Sequence, residues 1–184
     1  MIVLLDASVL YPAPLRDLWM NLALLDVIQA RWTSEIHTEW IRNVLKNRPD
    51  LTRSQLERTQ TLMDFHVRDA LVTGYEHLQT GLQLPDPNDC HVLAAAIQAR
   101  AKLLVTSNLK HFPNDYLVSF SVMAWHPNQL VLYLLKTNPT GLLAGLRQQR
   151  ATLRNPPITT LQMLKMLTKV GLVDSATALG EFDF

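Results

Sequence analysis

The sequence predicts a three-layer α/β/α fold with a mostly parallel central sheet and a helical extension at the C-terminal side. Three observations predict it. Short continuous apolar runs alternate with segments of helical period, the pattern of strands buried on both faces and joined by crossover helices. Acidic and polar residues follow those runs, where open parallel sheets place their chemistry. Beyond Trp125 the strand-like runs stop, while helical periods and proline breaks continue.

At 184 residues, 48% hydrophobic and 18% charged, the chain suits one domain with a small appendage. A formal net charge of +1 gives no global attraction to nucleic acid, so such binding needs a local patch. The single cysteine, Cys90, excludes an internal disulfide framework and fits a reducing cytosol. No uncharged apolar run is long enough to span a bilayer. The start MIVLLDASVL has no basic leader and is interrupted by Asp6, so a signal peptide is not expected and a cytoplasmic location is.

Ile2 to Leu5 is too short for a helix and reads as a buried strand. Asp6 follows at once. An acid there is costly unless paired, hydrogen-bonded or metal-bound; the plainer alternative is a cap on the next turn. Pro12 and Pro14 punctuate the chain. Leu15 to Ala30 then reads as a helix with Leu18, Trp19, Leu22 and Leu25 on its apolar face. Arg31 to Thr33 is the next strand candidate. Ser34 is the expected N-cap of a helix with Glu35 in its first turn. Ile36, Trp40 and Val44 form its buried stripe, and Glu39 flanks that stripe more closely than Glu35. Arg42, Lys46 and Arg48 follow, either a phosphate-binding patch or a solvated face. Thr52 with Gln55 predicts a capping box opening a helix through Phe65. Ala70 to Thr73 reads as an edge strand and Tyr75 to Leu82 as a helix.

In LPDPNDCHVLAAAIQARAKLLVTSNLKHFP, Leu84 to Pro113, Asp86 precedes proline and so favours the extended backbone of an N-cap. Asp89 then falls at the third helical position, where the helix dipole favours an acid; capping alone would explain both. The helix through Ile97 is followed by a strand, Leu103 to Val105, and the polar cluster Thr106-Ser107-Asn108. After the Pro113–Asp115 turn, Val118 to Trp125 reads as a last strand. Asn128 is the expected cap of a helix to Lys136. Thr137-Asn138-Pro139 breaks the chain, a helix from Thr140 carries Arg147, Arg150 and Arg154, and Asn155-Pro156-Pro157 breaks it again. Thr160 to Val170 is another helix, stopped by Gly171. The expected units are residues 1–136 and 137–184.

Asp6, Glu39, Asp86, Asp89 and Asn108 thus fall at strand ends or helix edges. Carboxylates without a cysteine cluster suit a hard cation, Mg²⁺ or Mn²⁺, because close like charges stay ionised only against one. One or two such ions activate a water and steady the leaving oxygen in phosphodiester cleavage. Thr106 or Ser107 is placed to orient that water or a phosphate. The histidines His37, His66, His77, His91, His111 and His126 are scattered and read as ordinary helix or loop residues. Cys90 reads as packed, and Trp40 and Trp125 as core.

The pieces VLLDASVLYP, TSEIHTEWIRNVL and LPDPNDCHVLAAA followed by LLVTSNLKHFP resemble the PIN-domain family, and within it the VapC-type toxins of bacterial toxin–antitoxin pairs. The resemblance implies a Mg²⁺- or Mn²⁺-dependent endoribonuclease, a hydrolase of RNA phosphodiester bonds, with a parallel sheet between helices. It carries the family's acids onto Asp6, Glu39 and Asp89, and its Thr-x-Asp position onto Thr106 and Asn108. Asp86 matches the extra acid of the branch with a D-P-x-D pattern, and the RNPP tail resembles that branch's C-terminal extension. The catalytic set it implies is Asp6, Glu39, Asp89, Asn108 and Thr106. The metal set is Asp6, Asp89, Glu39 and Asp86, and RNA contacts fall on Ser8, Arg42, Lys46 and Lys110. Partners are RNA, a cognate antitoxin and a second copy of the chain; a membrane is not expected. Asn108 departs from the family's aspartate and favours one competing reading, a non-catalytic PIN-like RNA- or protein-binding module. A phosphoacceptor signalling domain needs adjacent acids after the first strand, where Ala7-Ser8 stand here.

Overall fold

Four short strands, β1 (Ile2–Leu5), β2 (Gln29–Arg31), β3 (Leu103–Val105) and β4 (Met123–Trp125), form one sheet in the order β2-β1-β3-β4, with every pair parallel. The structure is a computed structural model that describes residues 1–154 and 156–184. The break expected at Asn155 lies outside the described residues. Val3 faces Ala30 on one side and Leu103 on the other, and Leu5 faces Val105. Parallel neighbours need crossover connections, so helices cover both faces. Val3, Leu4, Leu5 and all of β3 are buried accordingly.

α1 (Ala7–Leu10) and α2 (Ala13–Leu24) join β1 to β2. α3 (Ser34–Asn47), α4 (Arg53–His66), α5 (Glu76–Gln79) and α6 (Cys90–Gln98) lead from β2 to β3. α7 (Asn114–Leu117) precedes β4. Four helices follow: α8 (Pro127–Thr137), α9 (Pro139–Thr152), α10 (Thr160–Lys169) and α11 (Val173–Leu179). Among the described residues none beyond Trp125 joins the sheet. The three-layer fold with a helical C-terminal region is as predicted.

Local boundaries differ from expectation for identifiable reasons. The helix expected through Ala30 stops at Leu24, because Asp26 takes a left-handed φ of 54° that a helix cannot continue. That turn frees Gln29–Arg31 to pair with β1, two residues before the expected strand. Thr33, not Ser34, caps α3. Trp32 is held to the sheet edge by its bonds to Ala70 and Val72, Thr33 stays extended, and its hydroxyl accepts the Ile36 N–H at 3.0 Å. The expected edge strand at Ala70–Thr73 reduces to the single Trp32–Leu71 bridge. The helix expected over Tyr75–Leu82 shrinks to one turn with no buried face. Val118–Phe120 forms a 3-10 turn and Ser121 is left-handed, which leaves only Met123–Trp125 as strand. His126 caps α8 through Nδ1, while Asn128 reaches across to Asp174 and Ser175 of α11. The capping box of Thr52 and Gln55 is present as predicted. Arg154 lies just past the end of α9, and α11 is an additional helix that the sequence pattern did not announce.

α9 runs antiparallel along α2. Gly141 abuts Val27, Gly145 abuts Leu22, and the Gln149 Nε2–H donates to the Pro14 carbonyl at 2.8 Å. Leu142, Leu146, Met163, Leu167, Leu179 and Phe184 are all buried. Among the described residues no helix is long and apolar enough to cross a membrane.

Candidate active site

β1 and β3 are neighbours whose onward connections lead to opposite edges of the sheet, β2 and β4. Such a divergence opens a crevice at the carboxyl ends of the two strands. Asp6 leaves β1 there and Thr106 leaves β3.

Asp6 is 7% exposed and also caps α1. Its Oδ1 accepts the Ala7 N–H at 2.7 Å. Its Oδ2 accepts the Ser8 hydroxyl at 2.6 Å, the Thr106 hydroxyl at 2.8 Å and, more distantly, the Ser8 N–H at 3.4 Å. These donors answer the cost of burying a carboxylate. The Ser8 hydroxyl in turn accepts the Ser107 N–H at 3.0 Å, and Thr106 Oγ1 accepts the Asn108 N–H at 3.0 Å. Ser8 is therefore a brace between the two strand ends as well as an expected RNA contact.

Asp89 approaches from the other wall, at the junction of the 3-10 turn Pro87–Asp89 with α6. It makes no capping bond. Burial pushes its carboxyl above the usual range; the bond to His111 opposes this, and the charges of Asp6 and Asp86 add to it. Asp86 caps the same turn through Oδ1, which accepts the Asn88 N–H and side-chain amide at 3.0 Å each. Its Oδ2 lies 3.9 Å from His111 Nδ1. Capping and site placement thus coexist in one side chain.

His111 Nδ1 is 2.7 Å from Asp89 Oδ2 and 2.7 Å from the Asn108 amide. One ring nitrogen cannot donate and accept at once. With the proton on Nδ1 directed to Asp89, Asn108 presents its amide oxygen to the same point. With the proton on Nε2 instead, the Nδ1 lone pair would join those of Asp86, Asp89 and the Asn108 amide oxygen around one position, the arrangement an ion needs. Donor atoms of Asp86, Asp89 and His111 lie within 4.8 Å of one another. Among the described residues no lysine or arginine pairs with any of the four site carboxylates. Two carboxylates, an imidazole and an amide oxygen fit a divalent cation, and the nitrogen donor suits Mn²⁺ better than Mg²⁺.

Glu39 stands on α3 at the edge of the Ile36–Trp40–Val44 stripe and is about a quarter exposed, at 26%. Its Oε1 meets His91 Nε2 at 3.1 Å. His91 is buried on α6 and its Nδ1 lies 3.5 Å from Glu35 Oε2, without hydrogen-bond geometry. Burial alone would lower the His91 imidazole. The bond to Glu39, with the charges of Glu39, Glu35 and Asp6, outweighs burial and holds it above its ordinary value.

The structure therefore gathers Asp6, Thr106, Asp89, Asp86 and Asn108 around the crevice, while Glu39 is bonded to His91 of α6, two residues after Asp89. Arg42 and Lys46 are exposed on the helix that carries Glu39, and Lys110 is exposed two residues after Asn108. His91 and His111 are additions that composition did not suggest. Their signal is spacing: His91 lies two residues after Asp89, and His111 three after Asn108. A cavity of about 630 Å³ beside β2, lined by Gln29, Arg31, His66 and Arg68 among others, contains no residue of this cluster.

Residues 2–110 match the PIN domain family, and residues 127–181 match the family described as the VapC50 C-terminal domain. A protein of Mycobacterium tuberculosis named "Putative ribonuclease VapC50" is 38% identical over 79 residues, which cover 43% of this chain and 47% of that one. The match thus spans about half the relative's length. No solved structure matches.

Proposed function

This chain belongs to the PIN-domain family, in the VapC-type branch with a C-terminal extension, and from that membership we propose that it is a divalent-metal-dependent endoribonuclease, the toxin of a type II toxin–antitoxin pair. The observation that carries the reading is the carboxylate of Asp6. It is buried at the end of β1, bonded across the crevice to Thr106, and close enough to Asp89 to raise that acid.

In this reading Asp89, Asp86 through its uncapped oxygen, and His111 would hold an ion at the position they share, and Asp6 and Glu39, the other two acids of the family's set, would be its remaining ligands. A bound Mg²⁺ or Mn²⁺ would supply Lewis acidity there, enough to lower the pKa of a water and offset charge on the leaving oxygen. The Thr106 hydroxyl and the Asn108 amide orient the attacking water or a phosphate oxygen. His91 restrains Glu39 through the 3.1 Å contact of its Nε2 with Oε1. Arg42, Lys46 and Lys110 contact phosphates, and Ser8 keeps the strand ends in register beneath them. The name of the Mycobacterium tuberculosis relative supports the ribonuclease assignment; RNA as substrate and an antitoxin as partner follow from that branch.

The experiment is a cleavage assay on structured RNA with EDTA, Mg²⁺ and Mn²⁺ arms, beside melting curves. Cleavage appears only with metal and disappears in folded Asp6→Asn protein; persistence in either case refutes the mechanism. A second reading, a non-catalytic RNA-binding module, is favoured by the neutral Asn108. It predicts RNA binding with no cleavage in any arm. For the toxin role, inducing the chain alone arrests bacterial growth and co-expressing the small protein encoded beside it relieves the arrest. Unimpeded growth would remove that role.

A further inference from the structure

We propose that the C-terminal extension carries a phosphate-binding site, built from Arg147, Arg150 and Arg154, that holds the RNA backbone at the same end of the molecule as the acidic crevice. The proposal rests on the ribonuclease reading for the identity of the polymer, and on three independent features for the site.

The first is charge. From Tyr116 to Val173 the chain has six basic residues and no acidic one, whereas its first 136 residues carry twelve basic against thirteen acidic. The catalytic unit by itself therefore offers a polyanion no net attraction, and its crevice is acidic. Affinity for a phosphate backbone has to come from elsewhere.

The second is convergence. The three arginines line one cavity of about 220 Å³ with Leu153, Pro157 and Ile158. Among the described residues none of them meets a carboxylate. Arg147 donates to the Asp183 carbonyl and Arg154 to the Ala151 carbonyl, bonds that orient the guanidinium groups and neutralise nothing. Among the described residues Arg150 makes no such bond. Unneutralised guanidinium groups around a concavity, two of them oriented by backbone carbonyls, match the bidentate geometry of phosphate.

The third is placement. α9 lies antiparallel on α2, and the contacts Gly141–Val27, Gly145–Leu22 and Gln149–Pro14 run in order toward the start of α2. That start is tied to the active-site end, because Arg16 donates to the carbonyl of Leu10, the last residue of the helix that Asp6 caps. Arg150 follows Gln149 directly, so the arginine end of α9 reaches the level of the crevice.

The test is binding of a fluorescein-labelled single-stranded RNA in EDTA, titrated with salt, so that cleavage plays no part. Each lost phosphate contact lowers the salt slope by about 0.7 for single strands. The triple variant Arg147→Gln, Arg150→Gln, Arg154→Gln is expected to lose roughly tenfold or more in affinity and about 2 in slope. Arg150→Gln alone, which breaks no hydrogen bond, is expected to lose about 0.7 in slope with an unchanged melting curve. Lys165→Gln with Lys169→Gln removes comparable charge from α10 outside the cavity and is expected to change the slope least. Unchanged slopes in the arginine variants, or an equal loss in the lysine variant, overturn the site. So does wild-type protein that ignores RNA but binds polyglutamate through these arginines, which would assign the cavity to an acidic protein partner. Arginine-dependent RNA binding without metal-dependent cleavage would leave this site standing and sink the nuclease reading alone.

Discussion

Asp6 does two things with one carboxylate. Oδ1 caps α1 and Oδ2 reaches Thr106 and Ser8. Asp6→Asn is accommodated, because the amide oxygen still accepts the Ala7 N–H while both hydroxyls can reverse to accept from the new NH₂. The melting temperature is expected to stay within the equivalent of about 1 kcal/mol of wild type, a retained cap. Cleavage is expected to fall by several orders of magnitude, about tenfold for each ~1.4 kcal/mol of lost transition-state stabilisation. A cooperative unfolding curve beside a kinetic assay checks both. Asn108 is the complementary case, since its amide abuts His111, which holds Asp89. Asn108→Asp adds a charge to the donor set and is expected to tighten Mn²⁺ by roughly tenfold. Titration calorimetry on the two proteins decides; equal or weaker affinity means that residue 108 does not face the ion.

At the scale of elements, α3 and α4 are locked to the sheet edge by a buried polar chain. The Trp40 Nε1–H donates to His37 Nδ1 at 2.8 Å. Asp64 Oδ1 accepts the His37 Nε2–H at 3.1 Å and the Trp32 Nε1–H at 2.7 Å. This arrangement needs neutral His37, because a second proton on Nδ1 would face the Trp40 donor. Burial lowers the His37 pKa from its ordinary 6.5; Asp64 opposes that shift and Arg16 adds to it. The folded-state pKa lies below the unfolded one, so this contribution to stability is complete above about pH 6.5. It is lost as pH falls below that value through the folded pKa. Denaturant midpoints for wild type and His37→Gln are expected to differ by a constant above that pH and to converge below it. A difference that is flat through the acid range contradicts the account. Asp64→Ala strands two buried donors and is expected to cost about 2–4 kcal/mol. The sequence pattern foresaw the capping box at Thr52 but placed the cap of α3 one residue late, because only the Trp32 pairing at the sheet edge holds Thr33 extended.

Across the whole molecule, the extension is docked through close backbone approach. A Cβ on Gly145 would lie 2.7 Å from Leu22 Cδ2, and Leu22 is fully buried. Gly145→Val overpacks that contact and is expected to cost about 1–3 kcal/mol. At this chain length that corresponds to roughly 2–12 °C in melting temperature. One shifted transition would show residues 1–136 and 137–184 melting together. Two transitions would show them to be separable units. The division of charge works at the same scale: the crevice is acidic, while Tyr116 to Val173 carries basic residues and no acid.

The sequence by itself determined the layers, the positions of the main strands along the chain and the acid that follows the first of them. Apolar runs, helical periods and a carboxylate after a buried strand are local patterns, legible without knowing what they pack against. Asp6, Asp89 and Thr106 were nameable on that basis, and the adjacency of β1 and β3 in the sheet then brings Asp6 to Thr106. Tertiary structure alone decided the remainder. It stopped α2 at a left-handed Asp26 and reduced Ala70–Thr73 to a single bridge. It also brought His91 to Glu39 and His111 to Asp89, across 52 and 22 residues of chain. Those pairings exist because α3, α6 and the loop after β3 converge on one crevice, and a contact between distant segments leaves no periodic trace in the order of residues.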